Sequence, residues 1–262
     1  MKTRLDAELV RRGLARSREA ATDLIAAGNV LVSGMPASKA ATQVDAETSI
    51  TLKDNHAEFV SRGGHKLAGA LDKFMHIDVS GKTALDAGAS TGGFTDVLLK
   101  RGAKKVVAVD VGYGQLAWEL QKDERVKILD RVNVRNLTPA QVGEEIDLVV
   151  ADLSFISLKL VLPALISVAK QGADFLVMVK PQFEVGKEKL GAGGVVRDVH
   201  LRKEAVVAVA DAAFALTLGT LGVVASPLPG PSGNVEYFLW LQKGAPALLE
   251  VDLDLAIEKG PA

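Results

Sequence analysis

The residues best equipped for chemistry in this 262-residue chain gather around one glycine-rich turn. Leu85-Asp86-Ala87-Gly88-Ala89-Ser90-Thr91-Gly92-Gly93-Phe94 follows an apolar run that reads as a strand and opens a segment that reads as a helix. Glycines there let the backbone turn tightly and approach a ligand, and ligands of open α/β sheets lie beyond the carboxyl ends of the strands. Asp110 ends the next apolar run, where a carboxylate can accept both hydroxyls of a ribose. A phosphate-cradling loop requires Lys and then Ser or Thr after its last glycine, and Phe94-Thr95 stands there instead. A dinucleotide fingerprint requires Gly-x-Gly-x-x-Gly, from which Gly88-x-x-x-Gly92-Gly93 departs. Asp86, ahead of the first glycine, favours a ligand bearing an amine or a positive charge over a pyrophosphate. S-adenosylmethionine carries an amine and a sulfonium and no phosphate, and it fits best. Its expected contacts are Asp86, Gly88, Ser90, Thr91, Gly92, Gly93, Phe94, Asp110 and Asp152. A glycine turn without any ligand is the plainer alternative.

Four further polar residues stand in suggestive places. Lys66 lies in Ser61-Arg62-Gly63-Gly64-His65-Lys66-Leu67, ahead of the alternating strands. Asp152 begins Asp152-Leu153-Ser154-Phe155-Ile156-Ser157 after one apolar run, and Lys180 ends another, Phe175-Leu176-Val177-Met178-Val179. Glu236 enters the last run, Tyr237 to Leu241. A charge at a strand end is commonly a solvated boundary, so each alone is ambiguous. Asp152 and Lys180 are stronger, because successive parallel strands end at the ligand-binding rim.

These residues need a frame. From about residue 80, short apolar runs alternate with helical segments, notably His200 to Leu218, as in an α/β domain with a mostly parallel sheet. The last two strands, around Val223–Ala225 and Tyr237–Leu241, are joined by the short Pro- and Gly-rich segment Pro227 to Asn234. That is too short for a helical crossover, so the final strand should run antiparallel. Residues 1–53 read differently. Leu5, Leu9 and Val10 give one helical face that Gly13 stops; Ser17 is an N-cap for a helix over Arg18 to Ala27; Val30–Val32 and Ser49–Leu52 read as short strands. The expected organisation is a domain over 1–53, a linker over 54–62, a larger domain over 63–243 and a loose tail over 244–262.

Composition limits the rest. With 48% hydrophobic residues the chain can fill a core, and zero cysteine excludes disulfides, Cys-ligated zinc and thiol catalysis. It also fits a reducing, cytoplasmic setting. The net charge of −1 argues against nucleic-acid binding by bulk positive charge but leaves room for a local patch. Arg4, Arg11, Arg12, Arg16 and Arg18 crowd the first two predicted helices, interleaved with Asp6, Glu8, Glu19 and Asp23, so charge alone favours a solvated face over a phosphate site. The four histidines show no metal-ligand spacing, no metal is expected, and no Gly-x-Ser-x-Gly marks a serine hydrolase. The stretch from Ala212 is interrupted by Gly219 and Gly222 and closed by prolines, so no membrane span is expected, and the N-terminus lacks the apolar region of a secretory signal.

The pattern Arg4-Leu5-Asp6-x-x-Leu9-Val10-x-Arg12-Gly13-Leu14, with Ser17-Arg18, Ala21, Leu24-Ile25, Gly28, Val30, Val32 and Gly34, resembles the small RNA-binding module named after ribosomal protein S-four. Lys66, Asp152, Lys180 and Glu236, in that order around the sheet, resemble the Lys-Asp-Lys-Glu set of FtsJ-like RNA ribose 2′-O-methyltransferases. Joined, the two resemble the TlyA family, also labelled haemolysin-like, over about residues 1–242. The resemblance implies a Rossmann-like seven-stranded methyltransferase sheet behind a small α+β RNA-binding domain. It implies methyl transfer from S-adenosylmethionine to a ribose 2′-hydroxyl of ribosomal RNA, a cytidine by family, with ribosomal RNA or ribosomal subunits as partners and Arg4, Arg11, Arg12, Arg16, Arg18 and Arg62 facing RNA. The sulfonium methyl is already electrophilic, so the site must align it and remove a weakly acidic proton. Lys180 is then the expected base, Lys66 lowers its pKa and steers the phosphate, Asp152 orients Lys180, and Glu236 binds the lysines or the ribose. The competing expectations are a small-molecule methyltransferase, a membrane-active haemolysin and a ribosome-binding factor without catalysis.

Overall fold

The computed structural model describes residues 3–15, 17–45, 47–52 and 58–260. The chain divides into two compact units, Met1–Glu58 and Phe59–Ala262. In the smaller unit, helices Leu5–Arg11 and Arg18–Ala26 share a core with an antiparallel sheet ordered Met35–Pro36, Val30–Val32, Ile50–Leu52, and Thr3–Arg4 pairs with Gln43–Val44. Ser17 caps the second helix, its hydroxyl accepting the Ala20 N–H at 3.1 Å. The core is small: Leu5, Leu9, Ala21, Ile25, Val30, Val44 and Ile50. The two-residue strands at 3–4, 35–36 and 43–44 escape a sequence reading because two residues carry no alternation.

The larger unit holds one sheet of seven strands: β1 (Thr83–Ala87), β2 (Lys105–Asp110), β3 (Val126–Asp130), β4 (Ile146–Ala151), β5 (Ala169–Val179), β6 (Leu218–Ala225) and β7 (Tyr237–Lys243). Their order is β6-β7-β5-β4-β1-β2-β3. The pairings among β1 to β5 are parallel, and β7 lies antiparallel between β5 and β6, as the short β6–β7 connection demands. The helices, in chain order, are α1 (Arg62–Lys73), α2 (Gly93–Lys100), α3 (Trp118–Gln121), α4 (Pro139–Val142), α5 (Leu162–Val168), α6 (Pro181–Glu184), α7 (Val199–Ala215) and α8 (Glu250–Glu258).

Alternation along the strands builds two cores. Ala84, Val106, Ala108, Leu148, Val150, Leu176 and Met178 face one side with Leu67, Leu71, Val97 and Leu98 of α1 and α2. Leu85, Val107, Val109, Val149, Val177 and Leu239 face the other with Leu162 and Leu165 of α5 and Val206 and Val209 of α7. Both faces are covered, so the strands read as nearly continuous apolar runs.

Three expectations are corrected. Phe59–Arg62, assigned to the linker, belong to the larger unit: Phe59 is buried, the Val60 N–H donates to Asp96 Oδ2 at 2.9 Å, and Arg62 opens α1. The helix expected to reach Leu218 stops at Ala215; Thr217 takes φ +69°, and Leu218 begins β6 opposite Lys243. The tail is not a loose extension, since α8 buries Leu253 and Ala256 in the core shared with α7. No helix among the described residues is long and apolar enough to cross a membrane.

Candidate active site

The turn after β1 brings the site together. Gly88 has φ +88°, and a Cβ there would stand 2.5 Å from the Asp152 carbonyl oxygen, so only glycine lets the loops after β1 and β4 meet. The N–H groups of Gly88 and Ala89 donate to Val109 O, which ties the turn to β2. Asp110, at the end of β2, accepts the Ser90 N–H at 2.8 Å and the Gly112 N–H at 2.7 Å. Asp86 is fully buried behind the turn; Oδ2 accepts the Thr95 hydroxyl at 2.7 Å, and Oδ1 has no hydrogen-bond partner. Burial pushes its carboxyl up to about 7 against the Thr95 hydrogen bond, with the charges of Asp152 and Asp110 adding to the rise.

The four chemically suggestive residues form two ion pairs. Lys66 Nζ donates to Glu236 Oε2 at 2.5 Å, and Lys180 Nζ lies 2.6 Å from Asp152 Oδ1. The second contact is an ion pair outside hydrogen-bonding angles, because Asp152 Oδ1 has no hydrogen-bond partner; the hydrogen bond from Lys180 runs to Ser154 Oγ at 2.9 Å. The two ammonium-bearing residues and Glu236 are buried. Close packing places Lys66. A Cβ on Gly93 would stand 2.2 Å from Ser61 Oγ, so that glycine lets the start of α1 meet the start of α2, and Leu67 and Leu71 anchor the helix in the core. The charge of Lys66 is balanced by Glu236 and that of Lys180 by Asp152, so the tetrad forms two ion pairs whose lysines line one cavity.

Three cavities meet here. One of about 280 Å³ is lined by Lys66, Lys180, Arg62, Ser154 and Asp152 together with Gly88, Ser90, Thr91, Gly93 and Phe94 of the turn. A second, of about 480 Å³, shares Gly88, Ser90, Asp152 and Ser154 and adds Asp110, Asn133, Val111, Val134, Leu153 and Ile156. A third, of about 350 Å³, shares Ser154, Lys180 and Pro231 with the first and adds Phe155, Gln182, Phe183 and Glu236. The second has apolar walls, a carboxylate at a strand end and no lysine or arginine among its described lining residues. It suits a nucleoside without phosphate, whose ribose hydroxyls a strand-end carboxylate such as Asp110 can accept. The residues therefore fit S-adenosylmethionine. Asp86 and Gly92 line neither of the two cavities at the turn: Asp86 sits behind it, and Gly92, at φ +96°, packs against Leu116 and Leu120.

The arginines of the smaller unit are tied inward. Asp6 accepts from Arg4 at 3.0 Å and from Arg18 at 2.8 Å, and Glu8 accepts from Arg11 at 2.6 Å and from Arg12 at 2.7 Å. Arg12 also donates to the carbonyls of Thr48 and Asp45, so it holds the unit's own turn. Arg4, Arg11 and Arg18 keep about half of their side chains in water, and Arg16 lies outside the described residues. Sequence reasoning missed Ser154 as the hydrogen-bond partner of Lys180, Asn133 in the second cavity, and Phe155. The Phe155 ring is 92% exposed on a backbone at φ +64°, 5.2 Å from the Phe183 ring. Only the motif around Asp152 signalled Ser154 and Phe155; nothing local marks Asn133.

The pattern of FtsJ-like methyltransferases matches residues 59–243, and that of the S4 domain matches residues 3–50. The 16S/23S rRNA (cytidine-2′-O)-methyltransferase TlyA of Mycobacterium tuberculosis is 58% identical over 99% of both chains. Hemolysin A of Brachyspira hyodysenteriae is 37% identical over 89% of this chain and 97% of its own. A solved structure from Streptococcus thermophilus, assigned provisionally as a hemolysin, superposes with a TM-score of 0.79 at 36% identity, covering 98% of this chain and 95% of that one. Two ion-paired lysines beside a nucleoside pocket and the full-length match agree: the chain belongs to the TlyA family of S-adenosylmethionine-dependent, FtsJ-like methyltransferases, with an S4 domain at its N-terminus.

Proposed function

We propose that the chain transfers a methyl group from S-adenosylmethionine to the 2′-hydroxyl of a cytidine ribose in ribosomal RNA, in the cytoplasm. Residues 1–53 serve as the RNA-binding domain and the larger unit, from Phe59 onward, as the catalytic domain. The observation that carries this reading is a buried lysine, Lys180, paired with Asp152 in a cavity that the cofactor turn walls. When bound, S-adenosylmethionine supplies an electrophilic methyl on a sulfonium. Asp110, with Asn133 and the apolar walls of the second cavity, holds its nucleoside. Lys180 Nζ takes the proton of the ribose hydroxyl, and Asp152 and Ser154 stabilise the ammonium that forms. Nζ then passes that proton to water before the next turnover. Lys66, balanced by Glu236, lies in the same cavity to meet a ribose or phosphate oxygen, and the exposed Arg62 guards its mouth. Arg4, Arg11 and Arg18 present their outer N–H groups to the RNA backbone.

The test is mass-spectrometric mapping of ribose methyls in ribosomal RNA incubated with the protein and S-adenosylmethionine. A methyl on a cytidine ribose is expected; a methyl confined to bases, or none, overturns the reading. Lys180→Ala, with transfer and cofactor binding measured separately, tests the base. Unchanged transfer with intact cofactor binding removes Lys180 from that role.

A further inference from the structure

A buried carboxylate beside the site takes no part in the chemistry above. Glu184 ends α6, the short helix whose N-cap is Lys180. Its side chain is 1% exposed. Oε2 accepts the Ser157 hydroxyl at 2.5 Å, and Oε1 accepts the Leu158 N–H at 2.8 Å. The nearest cation, Lys159 Nζ, stands 4.0 Å away, and burial raises the carboxyl above its ordinary range against those hydrogen bonds. Both oxygens thus point at the far end of the Asp152–Ser157 loop. The near end is fixed by the Asp152 N–H, which donates to Ala87 O at 3.0 Å. Between the two anchors lies Phe155, a non-glycine residue at φ +64°. Such a backbone persists only where its surroundings over-determine it. Among the described residues, the polar contacts that join this loop to the segment after β5 are those of Lys180, to Asp152 and Ser154, and those of Glu184.

We infer that Glu184 is a positioning residue for methyl transfer: it clamps the Asp152–Ser157 loop to the strand end that carries Lys180, and so fixes Asp152 and Ser154 on Lys180 Nζ. The inference rests on the function proposed above. An apolar side chain would fill this place without burying a charge. A carboxylate with two acceptor oxygens is what stops the loop from sliding relative to Lys180, and small misplacements of reacting groups cost rate steeply.

The test compares Glu184→Ala and Glu184→Gln in the full-length protein, well below the melting temperature. Gln keeps an acceptor for the Leu158 N–H and offers an amide to Ser157 Oγ, so it should retain wild-type kcat. Ala should lower kcat by about 10- to 100-fold while cofactor affinity stays unchanged. Hydrogen exchange at residues 154–158 should rise in the Ala variant and not in the Gln variant. A kcat for Ala equal to wild type overturns the inference, as does a Gln variant as impaired as Ala. Should Glu184→Ala fail to fold, Ser157→Ala removes one of the two bonds, and an unaltered kcat there overturns it equally. If the wild-type protein methylates no ribose, the functional reading fails by itself. The exchange measurement still decides whether the clamp exists.

Discussion

Both units bury carboxylates beside cations, but the smaller one uses arginine and the larger one lysine. In the smaller unit Asp6 and Glu8 each draw in two guanidinium groups, and those of Arg4, Arg11 and Arg18 stay half in water. In the larger, Glu236 and Asp152 each hold one lysine that is almost wholly enclosed. An arginine never sheds its proton in a protein, whereas a lysine can. The arginine pairs are therefore fixed struts that brace a domain with seven buried apolar residues and leave donors for an anionic partner. The lysine pairs leave Nζ groups able to lose a proton, the role we propose for Lys180. They stand in a unit whose two large apolar cores make ionic bracing unnecessary.

Exchanging the cation breaks this contrast most sharply. Lys180→Arg keeps the charge and a partner for Asp152 but removes the proton acceptor. Methyl transfer should fall on the order of 10²- to 10⁴-fold with cofactor affinity preserved. An active Arg variant would show that Lys180 serves only as a charge. Next in size is Glu236→Gln, which leaves the Lys66 ammonium buried without a counter-charge and should cost about 3 kcal/mol of stability. The double variant Lys66→Met/Glu236→Gln should recover most of that loss while remaining inactive. A single variant as stable as wild type, by denaturant unfolding, contradicts the pair.

Asp86 supplies the case of a carboxylate buried with no cation at all. Its carboxyl rises from 3.8 to about 7 on folding, so between those values the folded state binds a proton that the unfolded state releases. Stability should therefore fall as pH climbs through that window, by on the order of 1–3 kcal/mol. Asp86→Asn should flatten the profile and melt higher than wild type at pH 8. Parallel melting curves for the two proteins across the window would place the carboxyl in its ordinary range.

How much of this was legible beforehand follows from the physics of each feature. The sheet is readable because β1, β2, β4 and the second half of β5, covered on both faces, leave apolar runs, and because the eight residues from Pro227 to Asn234 cannot cross over a sheet. Lys66, Asp152, Lys180 and Glu236 each stand at an element's end, but only the family resemblance, and no local spacing, points to the pairs Lys180–Asp152 and Lys66–Glu236. Lys66 and Glu236 lie 170 positions apart, and no spacing rule links them. The expectation that Glu236 binds a lysine agrees with its contact to Lys66. Its place before Gly88 marks Asp86 as a ligand contact in sequence, while its burial behind the turn is visible only in the fold. The tail was read as loose because the period of Leu253 and Ala256 is too short to register without the α7 surface that covers them.

The smallest effect expected concerns the arginine pairs, and it tests whether they are struts. Asp6 sits in the first turn of helix Leu5–Arg11, and Arg4 and Arg18 hold its carboxyl well below the usual carboxylate range. A depressed folded value means that the stabilisation is present above the unfolded value of about 4 and disappears as pH falls below it. In Asp6→Asn the amide oxygen still accepts from the Ala7 N–H, so the helix start is kept and only the charge is lost. Hydrogen-exchange protection of residues 5–26 should then be lower than wild type at pH 7. Below pH 4 it should fall less than in wild type, because only the Glu8 pairs remain to be lost, and wild type should converge on the variant. Salt should weaken protection more in wild type than in the variant, because the two guanidinium groups on Asp6 face water and are screened. Equal protection at neutral pH would mean that the small core holds the domain unaided and that the guanidinium groups are free for RNA.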